Sequence, residues 1–73
     1  MQQLLDVSDL PPPEPLERVL DALADLPAGD SLKVRLPMEP VLLYSMLRGM
    51  GLAWERNAEP GGTVELVIWE PRI

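Results

Sequence analysis

Between Leu16 and Leu36 the spacing of apolar residues changes period. Leu16, Val19, Leu20, Leu23 and Leu26 recur at three- and four-residue steps, which places them on one helical face. In SLKVRL, Ser31 to Leu36, the alternation is strict. Leu32, Val34 and Leu36 take one side and Lys33 and Arg35 the other, the pattern of a strand with one covered face. PAGD, Pro27 to Asp30, separates the two periods with a proline and a glycine. A helix with one apolar stripe and a strand with one apolar face each need a cover. The economical solution is to pack them on each other in two layers.

The rest of the chain repeats the motif. QLLDV, Gln3 to Val7, is a short apolar run read as the first strand. The first helix is expected from Pro13, with Glu14 and Glu17 in its first turn, where the helix dipole favours acids. Glu14 and Arg18 stand four apart in the favourable orientation, worth roughly 0.2–0.5 kcal/mol. A second helix opens at Pro40, carries Leu43, Met46, Leu47 and Met50 as its expected buried stripe, and closes at Gly49 and Gly51. LAWER, Leu52 to Arg56, reads as a third strand, NAEPGG as a turn, and TVELVIWE, Thr63 to Glu70, as a fourth strand. In that last strand Val64, Leu66 and Ile68 share one face and Glu65, Val67 and Trp69 the other. The strand-helix-strand spacing implies a parallel pair. The expected fold is therefore an α/β (α+β) two-layer βαβαββ sandwich in one domain, 1–73, with a four-stranded mixed sheet and both helices on one face.

Composition removes several chemistries. There is no cysteine and no histidine, so a disulfide framework, a nitrogen-and-sulfur zinc site, a cysteine nucleophile and a histidine base have no residues to be built from. No glycine-rich phosphate loop follows a strand, and no acid spacing matches a calcium loop. No catalytic residue, cofactor or metal is expected, and the chain is not expected to be an enzyme. With a formal charge of -6, its field repels a phosphate backbone, which argues against nucleic acid as partner. The absence of a spanning or signal segment leads to an expectation of cytoplasmic location and no membrane association.

The candidate contact residues fall in three places. LPPPEP, Leu10 to Pro15, stiffens the entry to the first helix, so Pro11, Pro12, Pro13 and Glu14 form a rigid corner at a helix N-terminus. Met38, Glu39 and Tyr44 surround the start of the second helix, and Met38 lies outside its apolar stripe. With the two helix starts close together, Met38 could line a shallow pocket with Pro12 and Glu14, or could pack with Tyr44 over the sheet end. Trp69 and Val67 point away from the helices if Leu66 and Ile68 point toward them, and an outward Trp on an open sheet face can mark an interface. Lys33 and Arg35 share that face with Glu65, where cross-strand ion pairs are expected. Asp6 with Glu14 or Glu39 gives only a weak hint of a carboxylate pair.

LDVSDLPPPEPLE, Leu5 to Glu17, resembles the opening of the SirA/TusA-like sulfur-carrier proteins, whose signature reads approximately Leu-Asp-x-x-Gly-Leu-x-Cys-Pro-x-Pro. Leu5, Asp6, Leu10, Pro13 and Pro15 match in register, and AGDSL, Ala28 to Leu32, is similar to the family's turn into its second strand. The family's sulfur-bearing cysteine falls on Pro12, and Asp9 stands where it usually has Gly. The chain more closely resembles DUF2249, a cysteine-lacking relative with no settled function, although Met38 replaces a histidine frequent in that family. The resemblance implies strand order 1-2-4-3. It also implies a non-catalytic binding or interaction module that has lost the sulfur-carrying cysteine. Two alternatives stay open: a small-ligand or anion sensor built on the helix N-termini, and an accessory component of a sulfur-relay or redox system. The expected partner is a protein, a second copy of the chain included.

Overall fold

The structure, a computed structural model, describes residues 1–71. Its elements run β1 (Gln2–Asp6), α1 (Glu14–Ala24), β2 (Ser31–Leu36), α2 (Val41–Gly49), β3 (Ala53–Ala58) and β4 (Val64–Trp69). The four strands form one sheet in the order β1-β2-β4-β3. β1 runs parallel to β2, whereas β4 is antiparallel to both of its neighbours, β2 and β3. The strand order and the mixed sheet agree with the arrangement implied by the sequence.

Alternation decides which residues the sheet buries. Leu32, Val34 and Leu36 of β2 lie opposite Ile68, Leu66 and Val64 of β4, and all six are buried. Val19 of α1 and Leu43 and Leu47 of α2 complete the core from the helical layer. At about 25 cal/mol per Å² of apolar area, such side chains contribute roughly 1.5–3 kcal/mol each. Among the described residues no helix covers the other sheet face. It carries Leu4, Lys33, Val67 and Glu55 in one row, with Trp69 paired to Ser31 and Ala53 in the next. Trp69 is half-buried there. Lys33 reaches Glu65 at 3.7 Å, as expected, while Arg35 pairs with Glu59 at 2.8 Å and approaches Asp6 at 3.8 Å.

Several boundaries differ from the sequence reading. β1 begins and ends one residue early, yet Val7 beyond it is buried and its N–H still donates to the Arg35 carbonyl at 2.9 Å. β3 continues through Asn57 and Ala58, which the turn-forming composition of NAEPGG had assigned to a loop. Pairing with β4 holds them extended. Pro13 is the residue before α1 rather than part of its first turn, and Pro15 is the buried proline within it. The largest correction concerns α2: Leu43 and Leu47 are buried, but Met46 and Met50 are exposed. Leu, Val and Met cover more than half of this helix's circumference, so its periodicity cannot say which edge the sheet covers.

The end of α2 is a complete Schellman motif. Met50 is the cap, Gly51 follows at φ +74, its N–H donates to the Arg48 carbonyl at 3.1 Å, and the Leu52 N–H donates to Leu47 at 3.0 Å. That turn drops the chain into β3.

Candidate apolar cleft at the helix N-termini

Because α1 and α2 each run antiparallel to the strand before them, both helices start at the same end of the sheet. Between their starts lies a cleft of about 310 Å³. One wall comes from the entry to α1, Pro12, Pro13, Pro15 and Leu16. The other comes from the β2–α2 connection and the first turn of α2: Leu36, Pro37, Met38, Glu39, Pro40, Val41, Leu42 and Leu43. Five of these residues are prolines, and Glu39 alone carries a charge. The Pro12–Pro13 peptide bond is cis. Met38, Val41 and Leu42 stand at the mouth with 60%, 71% and 63% of their surfaces exposed.

Glu39 is held rather than free. The Arg56 guanidinium donates through Nε to Oε1 and through Nη2 to Oε2, both at 2.7 Å, a two-pronged pairing. The Tyr44 hydroxyl donates to Oε1 at 2.8 Å. These donors, Arg56 first and Tyr44 second, push the Glu39 carboxyl below its ordinary range. Tyr44 in turn stacks on Trp54 of β3 with ring centroids 5.4 Å apart. The edge of the cleft is thus tied to β3 across the sheet end by one ion pair, one hydroxyl and one stacked ring.

At the two helix starts the backbone N–H groups of Leu16, Leu42 and Leu43 keep no acceptor among the described residues, and the other first-turn positions are closed. Pro13, Pro15 and Pro40 have no N–H to give. The Glu14 N–H is used by the Pro11 carbonyl at 3.1 Å, and the Val41 N–H by Glu39 at 3.1 Å. Neither helix has a side-chain cap.

The sequence-derived candidates divide around this geometry. Pro12, Pro13, Met38 and Glu39 line the cleft together. Pro11 and Glu14 lie beside it in the chain without lining it, and Tyr44 acts behind it through Glu39. Trp69 lies on the opposite sheet face. Pro37, Pro40, Val41 and Leu42 were not anticipated. A signal was present: Val41-Leu42-Leu43 is a run of three apolar residues on a helix, and one stripe cannot bury all three. Asp6 does not meet Glu14 or Glu39. Its carboxylate accepts from the Ser8 hydroxyl at 2.6 Å and from the Ser8 N–H at 3.0 Å, which lower its pKa. Among the described residues no three acidic side chains gather to hold a metal ion, and no helix is long and apolar enough to cross a membrane.

The model of an uncharacterised conserved protein family, DUF2249, matches residues 4–70. The chain belongs to DUF2249. No curated protein and no solved structure matches it. The matched span contains the last three residues of β1 and every later element, so the cleft of this DUF2249 chain lies wholly within the part the family shares.

Proposed function

We propose that this DUF2249 domain is a non-catalytic docking module, and that the cleft between its helix N-termini takes an apolar side chain of a partner protein. The supporting observation is the lining. A concave site of this size with one charged residue, itself neutralised by Arg56, suits an apolar anchor and offers no poised nucleophile or base. Its exposed rim of Met38, Val41 and Leu42 is apolar surface that a partner would cover. The resemblance to sulfur carriers adds that Pro12, which takes the place of their cysteine, lines this same cleft.

An anion sensor fits less well. Anion recognition at a helix start depends on free backbone N–H groups backed by positive charge; Leu16 alone is left at the start of α1, Leu42 and Leu43 at that of α2, and no cationic side chain lines the cleft.

A photoreactive phenylalanine analogue placed at Leu42 tests the reading in cells that make the protein. The expected result is a discrete protein adduct that is lost when Met38→Asp is added. The same probe at Leu4, exposed on the open sheet face, should give none. Equal adducts at both positions, or none at Leu42, would overturn the docking role of the cleft.

A further inference from the structure

All four methionines of the chain lie on the surface, and three of them flank α2. Met38 is at the cleft, Met46 is one helical turn beyond Leu42, and Met50 is one turn beyond Met46. From Leu42 to Met50 this exposed row runs roughly 12 Å at 1.5 Å per residue. Its direction is fixed by Tyr44. Leu42 and Met46 are each two residues from Tyr44, which puts them on the opposite flank of α2. Tyr44 faces β3 through Trp54 and Glu39, so Leu42 and Met46 face α1. The shared lining of the cleft by Leu42 and by Pro15 and Leu16 of α1 agrees with that direction.

We infer that the cleft is the closed end of a longer groove between α1 and α2, and that its occupant is a basic amphipathic helix of a partner protein. This inference rests on the docking reading above. The helical form follows from the walls. Both walls are helices, whose backbone groups are already paired internally, so an extended segment would gain no main-chain partners there. A helix satisfies its own backbone and presents side chains at three- and four-residue steps to match Leu42, Met46 and Met50. Thioethers suit such a surface because they are polarizable and flexible enough to repack around an entering chain.

The basic character follows from charge. Acids outnumber Lys and Arg by 12 to 6 in the sequence. Of the cations, Lys33, Arg35 and Arg56 are spent on ion pairs with Glu65, Glu59 and Glu39. On the helical layer Glu14, Glu17, Asp21 and Asp25 of α1 and its end outnumber the two cations there, Arg18 of α1 and Arg48 of α2, so the layer keeps a net negative charge. A cationic helix is drawn in by that field, and an anionic one is repelled.

Methyl-labelled methionine distinguishes the outcomes. The probe is a synthetic leucine–lysine peptide patterned as an amphipathic helix. Its comparisons are a leucine–glutamate peptide of the same pattern and a scrambled leucine–lysine peptide. The expected result is that the patterned basic peptide shifts Met38, Met46 and Met50 together and leaves Met1 unmoved, while neither comparison peptide does so. Met46→Lys should weaken binding about tenfold, or one and a half decades at most, with the spectrum of the fold preserved. A shift confined to Met38 would overturn the groove and its helical occupant while leaving an apolar anchor in the cleft intact. No shift with any peptide, or equal shifts with the acidic or scrambled peptide, would overturn the basic-helix assignment. Shifts that depend on protein concentration alone would make the occupant a second copy of this chain and overturn it too.

Discussion

The ring of Tyr44 lies on the ring of Trp54, with centroids 5.4 Å and planes 12° apart. Burial against that ring, together with the hydrogen bond to Glu39, raises the Tyr44 pKa from 10.0 to about 12. Tyr44 is the chain's single tyrosine, so an ultraviolet titration reads it directly. The phenol should ionise near 12, and Glu39→Gln should bring the transition down part of the way, because the stacking burial remains. The folded state holds this proton more tightly than the unfolded state. Stability is therefore intact below pH 10 and falls as pH rises from 10 to about 12. A tyrosine titrating at its ordinary value would mean that the stack and the Glu39 bond do not persist in solution.

Acid acts in the opposite sense. Glu39 is lowered by Arg56 and then Tyr44, Glu59 by Arg35 and then Thr63, and Asp6 by the Ser8 hydroxyl and then its N–H. Each carboxylate stabilises the fold above its ordinary range near pH 4, and that contribution is lost as pH falls through the depressed folded value. Thermal melts should therefore show Tm level above pH 5 and declining below pH 4. Arg56→Ala should flatten part of that decline, since Glu39 then has less to lose. An unchanged acid profile in Arg56→Ala would count against the pairing.

Core and rim should separate under truncation. Leu47→Ala removes a fully buried side chain and should cost about 2–5 kcal/mol. In a domain this small that approaches the whole margin of stability, and the variant should be largely unfolded at moderate temperature. Met46→Ala should stay within about 0.5 kcal/mol, because the side chain is exposed and alanine favours the helix. Chemical denaturation of the two variants compares them. A costly Met46→Ala would place that side chain in the core.

Gly51→Ala probes the end of α2. No atom stands within 4 Å of an added Cβ, so crowding plays no part. The cost is the left-handed backbone at φ +74 and should be about 1–2 kcal/mol. With roughly 4–8 °C of Tm per kcal/mol in a domain this small, the shift is readily measured. A neutral substitution would mean that the turn relaxes without its Schellman bonds.

Legibility in the sequence followed how local each signal was. The paired faces of β2 and β4 were readable because strict alternation leaves each residue one choice of side. The extension of β3 through Asn57 and Ala58 was not, since their strand state is imposed by Glu65 and Val64 opposite them rather than by their own preferences. The cleft was half visible: of the rigid corner Pro11 to Glu14 and the group Met38, Glu39 and Tyr44, the residues Pro12, Pro13, Met38 and Glu39 line it, while Pro11, Glu14 and Tyr44 do not. What holds the corner was hidden, because Glu39 and Arg56 are 17 residues apart and meet only through the β3 position in the sheet. The exposed side of α2 escaped for a physical reason as well. A helix apolar over most of its surface carries no internal mark of which edge is covered.

The surface placement of every methionine has a chemical consequence. A thioether oxidised by a peroxide becomes a sulfoxide, which is polar and stereogenic at sulfur. In a molecule with its methionines inside, that change threatens the fold. Here Met38, Met46 and Met50 are open to oxidant and Leu47, Leu66 and Ile68 are not susceptible. Peroxide damage to this chain therefore falls on the surface around α2 and spares the buried aliphatic core.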